Sequence, residues 1–190
     1  MTLTVAAPAK INLALHVTGQ RADGYHLLDS LIVFTALGDA LAFQTAAADG
    51  FEIDGPYAAA LAAQEPATNL VIKAREALRA HCAQTGHPCP PVQISLTKNL
   101  PVASGIGGGS SDAAAALRGL AKFWNITAAP DALAHIGLRL GADVPMCLSG
   151  KPLFAQGIGE KITLAAPFPA LHLVLVNPGV EVSTQAIFKA

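Results

Sequence analysis

Residues Pro101 to Trp124 read PVASGIGGGSSDAAAALRGLAKFW, and this stretch holds the strongest structural signal in the chain. Apolar residues recur at helical spacing in its second half, which predicts a helix with one buried face. A strand-like run, residues 92–98, precedes it. The glycines let the backbone turn tightly and bring its N–H groups close to a ligand. Since the first helical turn adds unsatisfied donors and partial positive charge, the stretch predicts an anion site, such as one for phosphate.

Two common phosphate-binding motifs do not fit this loop. A P-loop needs Lys and then Ser or Thr after its second glycine, and no lysine stands at the helix start. A dinucleotide fingerprint counted from Gly105 and Gly107 would place its third small residue at Ser110, and no two-half strand–helix repeat surrounds it. The plain alternative is a glycine-rich connector capped by Ser and Asp.

The N-terminal segment predicts a strand meander. Lys10 to Val17, KINLALHV, alternates strictly, so we expect one core face and one polar face. The core face would hold Ile11, Leu13, Leu15 and Val17. Lys10 and Asn12 would project side by side from the other face, for which an ordinary solvated surface is the alternative. Further strands are predicted at 27–34, 41–43 and 51–53, separated by Gly-Asp and Asp-Gly turns.

Helices and strands mix in the rest of the chain. Asn69 can cap a helix over 69–80, and Pro130 with Asp131 suits the start of another that ends at Gly141. Residues 58–63 are weakly helical, and strands are predicted at 153–155, 162–164 and 171–176. Strands first, then helices mixed with strands, indicate the α+β class.

Composition excludes several classes of function. The chain has 190 residues, of which 52% are hydrophobic and 13% charged, with a net charge of -1. This balance gives no electrostatic case for nucleic acid or an anionic membrane. No apolar run could span a bilayer and no signal peptide is evident, so we expect a cytoplasmic protein. So little charge also predicts a face that is hidden against another domain or subunit.

The cysteines do not indicate a disulfide framework or a metal site. Their count is odd, three, and none forms a C-x-x-C pair. A cluster in HCAQTGHPC, residues 81–89, has zinc-ligand residue types but no known zinc spacing, so an exposed linker is the preferred interpretation.

Three motifs resemble those of the GHMP kinases, which include galactokinase, homoserine kinase, mevalonate kinase and phosphomevalonate kinase. The loop matches the phosphate-binding pattern P-x-x-x-G-[LI]-G-G-G-S-S-[DN]-A. Pro8 to His26 matches P-A-K-[IL]-N-L-x-L-x-[VI]-x-G-x-R-x-D-G-Y-H, the opening signature of one branch that acts on a cytidine diphosphate sugar-alcohol. Gly141 to Pro145, GADVP, matches the motif that holds the catalytic Asp.

The resemblance implies a ribosomal protein S5 domain 2-like fold, as in the N-terminal domain of these kinases. It also implies ATP-dependent phosphorylation of the 2-hydroxyl of 4-(cytidine 5′-diphospho)-2-C-methyl-D-erythritol in the non-mevalonate isoprenoid pathway, with ATP and Mg²⁺ as cofactors. Two alternatives stay open. Another GHMP kinase is disfavoured by R-x-D-G-Y-H, and a non-catalytic fragment would bind nucleotide or self-associate without turnover.

The resemblance also assigns residues to roles. Asp143 would be the catalytic base, with Lys10 beside it to keep the carboxylate ionised and Asn12 to orient the acceptor hydroxyl. The nucleotide would be bound by Gly105, Gly107, Gly108, Gly109, Ser110, Ser111, Asn69, Leu70 and Lys98. The cytidine-bearing substrate would be bound by Tyr25, His26, Thr184, Phe188 and Lys189. The plain alternatives are a turn residue for Asp143 and a solvated strand-end lysine for Lys98.

The resemblance suggests a domain boundary near the end of the chain. We expect residues 1–176 to form the ATP-binding domain, and 177–190 a linker with the start of a C-terminal domain. The family's C-terminal domain has no further counterpart here, which predicts a truncated form with reduced or no activity. The face that this domain would cover is a predicted homodimer interface.

Overall fold

The computed structural model describes residues 2–24, 26–127 and 130–179, and it confirms the α+β class. The strands are β1 (Leu3–Gln20), β2 (His26–Thr45), β3 (Gly50–Asp54), β4 (Val92–Thr97), β5 (Leu153–Gly157) and β6 (Lys161–Leu164). The helices are α1 (Leu70–Thr85), α2 (Gly108–Phe123), α3 (Pro130–Leu140) and α4 (Val144–Ser149), with 3₁₀ turns at Ala58–Leu61 and Pro66–Thr68. Within the described ranges, no helix is long and apolar enough to cross a membrane.

β2 is the central strand of the sheet. β1 pairs with it antiparallel along nearly its whole length, and β4 and β5 share its opposite edge. β3 extends the sheet as a parallel neighbour of β4, and β6 as an antiparallel neighbour of β5. Because parallel neighbours need a crossover connection, α1 lies between β3 and β4 in the chain.

One hydrophobic core joins the helices to the covered face of the sheet. Val92, Ile94 and Leu96 are buried while the residues between them are partly exposed, so β4 has one covered face. In α2, ten of sixteen residues are buried. Gly119 permits its close approach to β2, because a Cβ there would lie 2.2 Å from the Phe43 ring. This packing fixes the start of α2, and so the glycine-rich loop, against the sheet.

The predicted faces of the first strand are wrong. Leu13, Leu15 and Val17 are 37%, 44% and 53% exposed, whereas Lys10 is buried. Three register shifts interrupt the β1–β2 pairing. Since each shift can move the following side chains to the other face, strict alternation in sequence does not translate into one core face.

Two further strand predictions are wrong. The Gly-Asp pair at 38–39 forms no turn, because β2 runs straight through it, and a Cβ on Gly38 would lie 2.4 Å from the Ala7 carbonyl oxygen of β1. Residues 171–176 form no strand, and Val174 and Val176 are almost fully exposed. In the described ranges no strand pairs with this segment. Apolar residues without a pairing partner do not make a strand.

Candidate active site

An open cleft of about 640 Å³ is lined by the glycine-rich loop, β1 and the starts of α1 and α4. Most of the predicted site residues meet here although they come from distant parts of the chain. Those that line the cleft are Lys10, Asn12, Asn69, Leu70, Lys98, Gly105, Gly107, Gly108, Gly109, Ser110 and Asp143.

The loop leaves backbone donors available at the start of α2. Gly107 is the N-cap residue and has no side chain with which to cap the helix. Gly105 and Gly107 have backbone φ angles of 73° and 68°, which residues other than glycine rarely adopt. Because the first N–H groups of a helix have no intrahelical acceptor, this end can bind an anion such as a phosphate.

The two serines after the glycines lie in different surroundings. Ser110 lines the cleft. Ser111 is buried, and its Oγ donates to the Pro8 carbonyl oxygen at 2.7 Å, so this hydroxyl joins α2 to β1. A phosphate contact by Ser111 stays a prediction, and it would have to come from the backbone.

Lys10 and Asp143 form an ion pair at the cleft. Lys10 Nζ donates to Asp143 Oδ2 at 2.9 Å, and the side chains are 8% and 39% exposed. The Lys10 backbone N–H also donates to Ile106 O at 2.8 Å, which joins β1 to the loop. Asp143 directly precedes α4, a helix that the sequence did not predict. The pair therefore lies beside the start of α2, with its carboxylate open to a ligand.

Lys98 has a different environment. It is 3% exposed, and its Nζ donates to Asp39 and, at 2.9 Å, to Asp112 Oδ2. Asp39 also accepts from the backbone N–H groups of Asn99 and Leu100 at 2.6 and 2.8 Å. The alternative interpretation of Lys98 as a solvated strand-end lysine is therefore wrong. Its contact with nucleotide stays a prediction. These three side chains are called the buried cluster below.

Burial and the neighbouring charges shift the pKa values of Asp112 and Lys98 in this buried cluster. Burial raises the pKa of Asp112 to about 7; Asp39 adds to the shift and Lys98 opposes it. Burial also disfavours the charged form of Lys98, but the two carboxylates outweigh it and raise the Lys98 pKa. Asp112 Oδ1 is buried without a hydrogen-bond partner. Asp39 was missed in the sequence, where the only signal was a carboxylate between apolar residues of a strand.

The remaining predicted residues fall into two groups. Asn69 caps α1, accepting from the Val71 N–H at 2.9 Å, and Leu70 follows it at the cleft. His26 begins β2, half-buried, and is not among the residues that line the cleft. Tyr25, Thr184, Phe188 and Lys189 lie outside the described residues. No three metal-ligating side chains come together in the part of the chain that the structure describes.

Sequence comparison links this cleft to known kinases. Residues 69–151 match the family described as GHMP kinases N terminal domain. Over 184 residues the chain is 58% identical to a 4-diphosphocytidyl-2-C-methyl-D-erythritol kinase of Agrobacterium fabrum, covering 97% of this chain and 62% of the relative. A kinase of the same name from Mesorhizobium japonicum is 59% identical, with 97% and 61% covered.

Comparison with solved structures points to the same kinases as the sequence comparison. A crystal structure of 4-(cytidine 5′-diphospho)-2C-methyl-D-erythritol kinase matches with a TM-score of 0.74 and 32% identity, covering 99% of this chain and 64% of that one. The chain thus spans about three fifths of the length of the curated relatives that it matches.

Proposed function

We propose that the chain, which contains a match to the N-terminal domain of GHMP kinases, belongs to that family and serves ATP-dependent phosphorylation of the 2-hydroxyl of 4-(cytidine 5′-diphospho)-2-C-methyl-D-erythritol. This reaction is a step of non-mevalonate isoprenoid synthesis. The names of the most similar relatives support the substrate. One observation supports the chemistry: the Lys10–Asp143 pair lies in the same cleft as the uncapped N-terminus of α2.

For phosphoryl transfer a protein must hold the phosphates of the donor, place the acceptor hydroxyl in line with the bond that breaks, and neutralise charge in the transition state. In this proposal the backbone N–H groups of residues 105–111 bind the phosphates. Asp143 accepts the proton of the acceptor hydroxyl. The oxygen of that hydroxyl bonds to the terminal phosphorus of ATP as the bond between this phosphorus and ADP breaks. Lys10 holds the Asp143 carboxylate in place through their ion pair and offsets charge on the transferred group.

The cleft fits a nucleotide better than it fits a protein-held metal. Leu61 and Leu70 give it an apolar wall beside Asn69, which suits an adenine ring. The only buried carboxylate oxygen without a partner among the described residues, on Asp112, is close to Lys98. We therefore propose that Mg²⁺ is held chiefly by phosphate oxygens and water, where it would offset phosphate charge.

The other assignments are proposals of the same kind. Tyr25 and His26 would contact the cytosine, and Thr184, Phe188 and Lys189 the rest of the cytidine-bearing substrate. We place the end of the ATP-binding domain at residue 176; the last strand, β6, ends at Leu164. A cytoplasmic location and a homodimer through the face that a C-terminal domain would cover complete the proposal.

The test combines calorimetry with a coupled turnover assay on the 190-residue chain. We expect binding of an ATP analogue and of CDP, because the loop and the N-terminal signature would carry both sites. Binding with turnover supports the kinase, and binding without turnover supports the second candidate, a non-catalytic nucleotide-binding chain. Binding of neither ligand would contradict the proposed function for this chain.

A further inference from the structure

We infer that Ser30 is a positioning residue that turns the amide oxygen of Asn12, and not its nitrogen, toward the substrate. The inference rests on the proposed function, because it concerns how the same cleft selects its alcohol. Asn12 and Ser30 both line the cleft, from the neighbouring strands β1 and β2.

Two hydrogen bonds fix the direction of this contact. The Ser30 hydroxyl donates to the Ala14 carbonyl oxygen at 2.7 Å, and Asn12 Nδ2 donates to Ser30 Oγ at 2.7 Å. A hydroxyl has one proton, and the carbonyl can only accept. Once this proton points at Ala14, Ser30 can only accept from Asn12. A flipped amide would place two acceptor oxygens 2.7 Å apart, so the nitrogen must face Ser30.

The surroundings make Ser30 a rigid support. It is 3% exposed and stands in the middle strand of the sheet, paired with Leu15 on one side and Ala155 on the other. The Ala14 carbonyl that it binds directly follows a register shift in β1. Such irregularities re-aim side chains beside active sites. Burial keeps water from replacing either bond, so the amide of Asn12 has one preferred orientation.

The orientation has a consequence for the substrate. The oxygen of Asn12 can only accept, so it calls for a hydrogen-bond donor on the ligand. The reacting hydroxyl gives its single proton to Asp143 in the proposed transfer. The donor to Asn12 is therefore a second hydroxyl of the same molecule, and not the acceptor hydroxyl that the motif resemblance gave Asn12 to orient. The site then selects a polyol over an alcohol that has one hydroxyl.

The test compares Ser30→Ala and Ser30→Thr with Asn12→Ala. In Ser30→Ala we expect the affinity for the cytidine diphosphate sugar-alcohol to fall about five- to tenfold, the size of one lost hydrogen bond. Affinities for CDP and for an ATP analogue should stay within about twofold, since neither contains the polyol. Ser30→Thr, which keeps the hydroxyl, should restore binding, and Ser30→Ala should add little in the Asn12→Ala background.

A second readout does not need substrate binding. In ¹⁵N spectra of the ligand-free chain, the side-chain NH₂ signals of Asn12 should shift in Ser30→Ala and return toward their original positions in Ser30→Thr. Unchanged Asn12 signals, or equal losses of affinity for polyol and CDP, would overturn the inference. If the unmutated chain binds no ligand, the proposed function fails, while the Asn12 signals still decide the role of Ser30.

Discussion

Two lysines flank the glycine-rich loop, and each contacts aspartate, yet their surroundings differ. Lys98 lies between Asp39 and Asp112, and all three side chains are at most 5% exposed. Lys10 contacts only Asp143 among the described carboxylates within ion-pair distance, and that aspartate is 39% exposed. The first set joins β2, the end of β4 and α2, and its Lys98 and Asp112 also line the cleft; the second set has the more exposed carboxylate.

The difference shows how burial divides roles between similar side chains. A carboxylate that is at most 5% exposed and bound by a lysine has little surface to offer a substrate, so we expect it to serve the fold. A carboxylate with exposed surface can exchange its lysine contact for a substrate hydroxyl. We therefore propose that the buried cluster holds the loop and that the Lys10–Asp143 pair carries the chemistry. The predictions below test this division.

Lys98→Met is expected to have the largest effect on stability. It should lower the free energy of unfolding by about 3–5 kcal/mol, because two buried carboxylates lose their cation. Urea unfolding measures the change. Lys122→Met, on the exposed side of α2, is the control and should change stability by no more than about 0.5 kcal/mol. A loss as small as the control's would remove the structural role of the buried cluster.

Asp112→Asn should change how stability depends on pH. Burial raises the pKa of Asp112 from 3.8 to about 7, so the folded chain holds this proton more tightly than the unfolded chain. The contribution is complete below pH 3.8 and is lost as the pH rises through about 7. Across this window the parent chain should lose stability relative to Asp112→Asn. Parallel plots of the free energy of unfolding against pH for the two proteins would contradict this.

Gly107→Ala tests the open side of the comparison. Gly107 and Gly86 have nearly equal φ, 68° and 67°, but a Cβ would lie 3.1 Å from the Lys10 Cβ at Gly107 and meet nothing within 4 Å at Gly86. Both alanines should cost about 1–2 kcal/mol for the backbone conformation alone. Gly107→Ala should cost more and should also weaken binding of an ATP analogue. If the two variants change the affinity for the ATP analogue equally, the glycine-rich loop is not part of the nucleotide site.

Asn69→Ala should have the smallest effect, at the rim of the cleft. Removing the cap of α1 should lower stability by about 1 kcal/mol, as measured by urea unfolding. Asn69→Ser keeps a capping oxygen and should restore most of that loss. If Asn69 also contacts adenine, the serine variant will bind the ATP analogue less tightly than the parent. Unchanged affinity would leave Asn69 with its capping role alone.

Local patterns predicted much of this fold. The strand before the loop, α2 with its buried stripe and the capped start of α1 follow from periodicity and capping residues close together in sequence. The faces of β1 did not, because register shifts depend on the pairing with β2. The strand predicted at 171–176 failed since strands need partners, which a local pattern does not supply.

The candidate site divides in the same way. Motif resemblance named Lys10, Asn12 and Asp143, which the fold brings to one cleft. It did not name Asp39 or Ser30, because their importance arises from contacts across 59 and 18 residues of sequence. Lys98 was named without its surroundings, and only the fold shows that two carboxylates enclose it.

The most direct test of the division compares Asp143→Asn with Asp39→Asn in urea unfolding and in the coupled phosphoryl-transfer assay. We predict that Asp143→Asn keeps the free energy of unfolding within about 1 kcal/mol and abolishes any turnover of the parent chain, whereas Asp39→Asn loses several times more stability. If Asp143→Asn destabilises the chain as much as Asp39→Asn, or retains the parent's turnover, the Lys10–Asp143 pair is structural and the account is wrong.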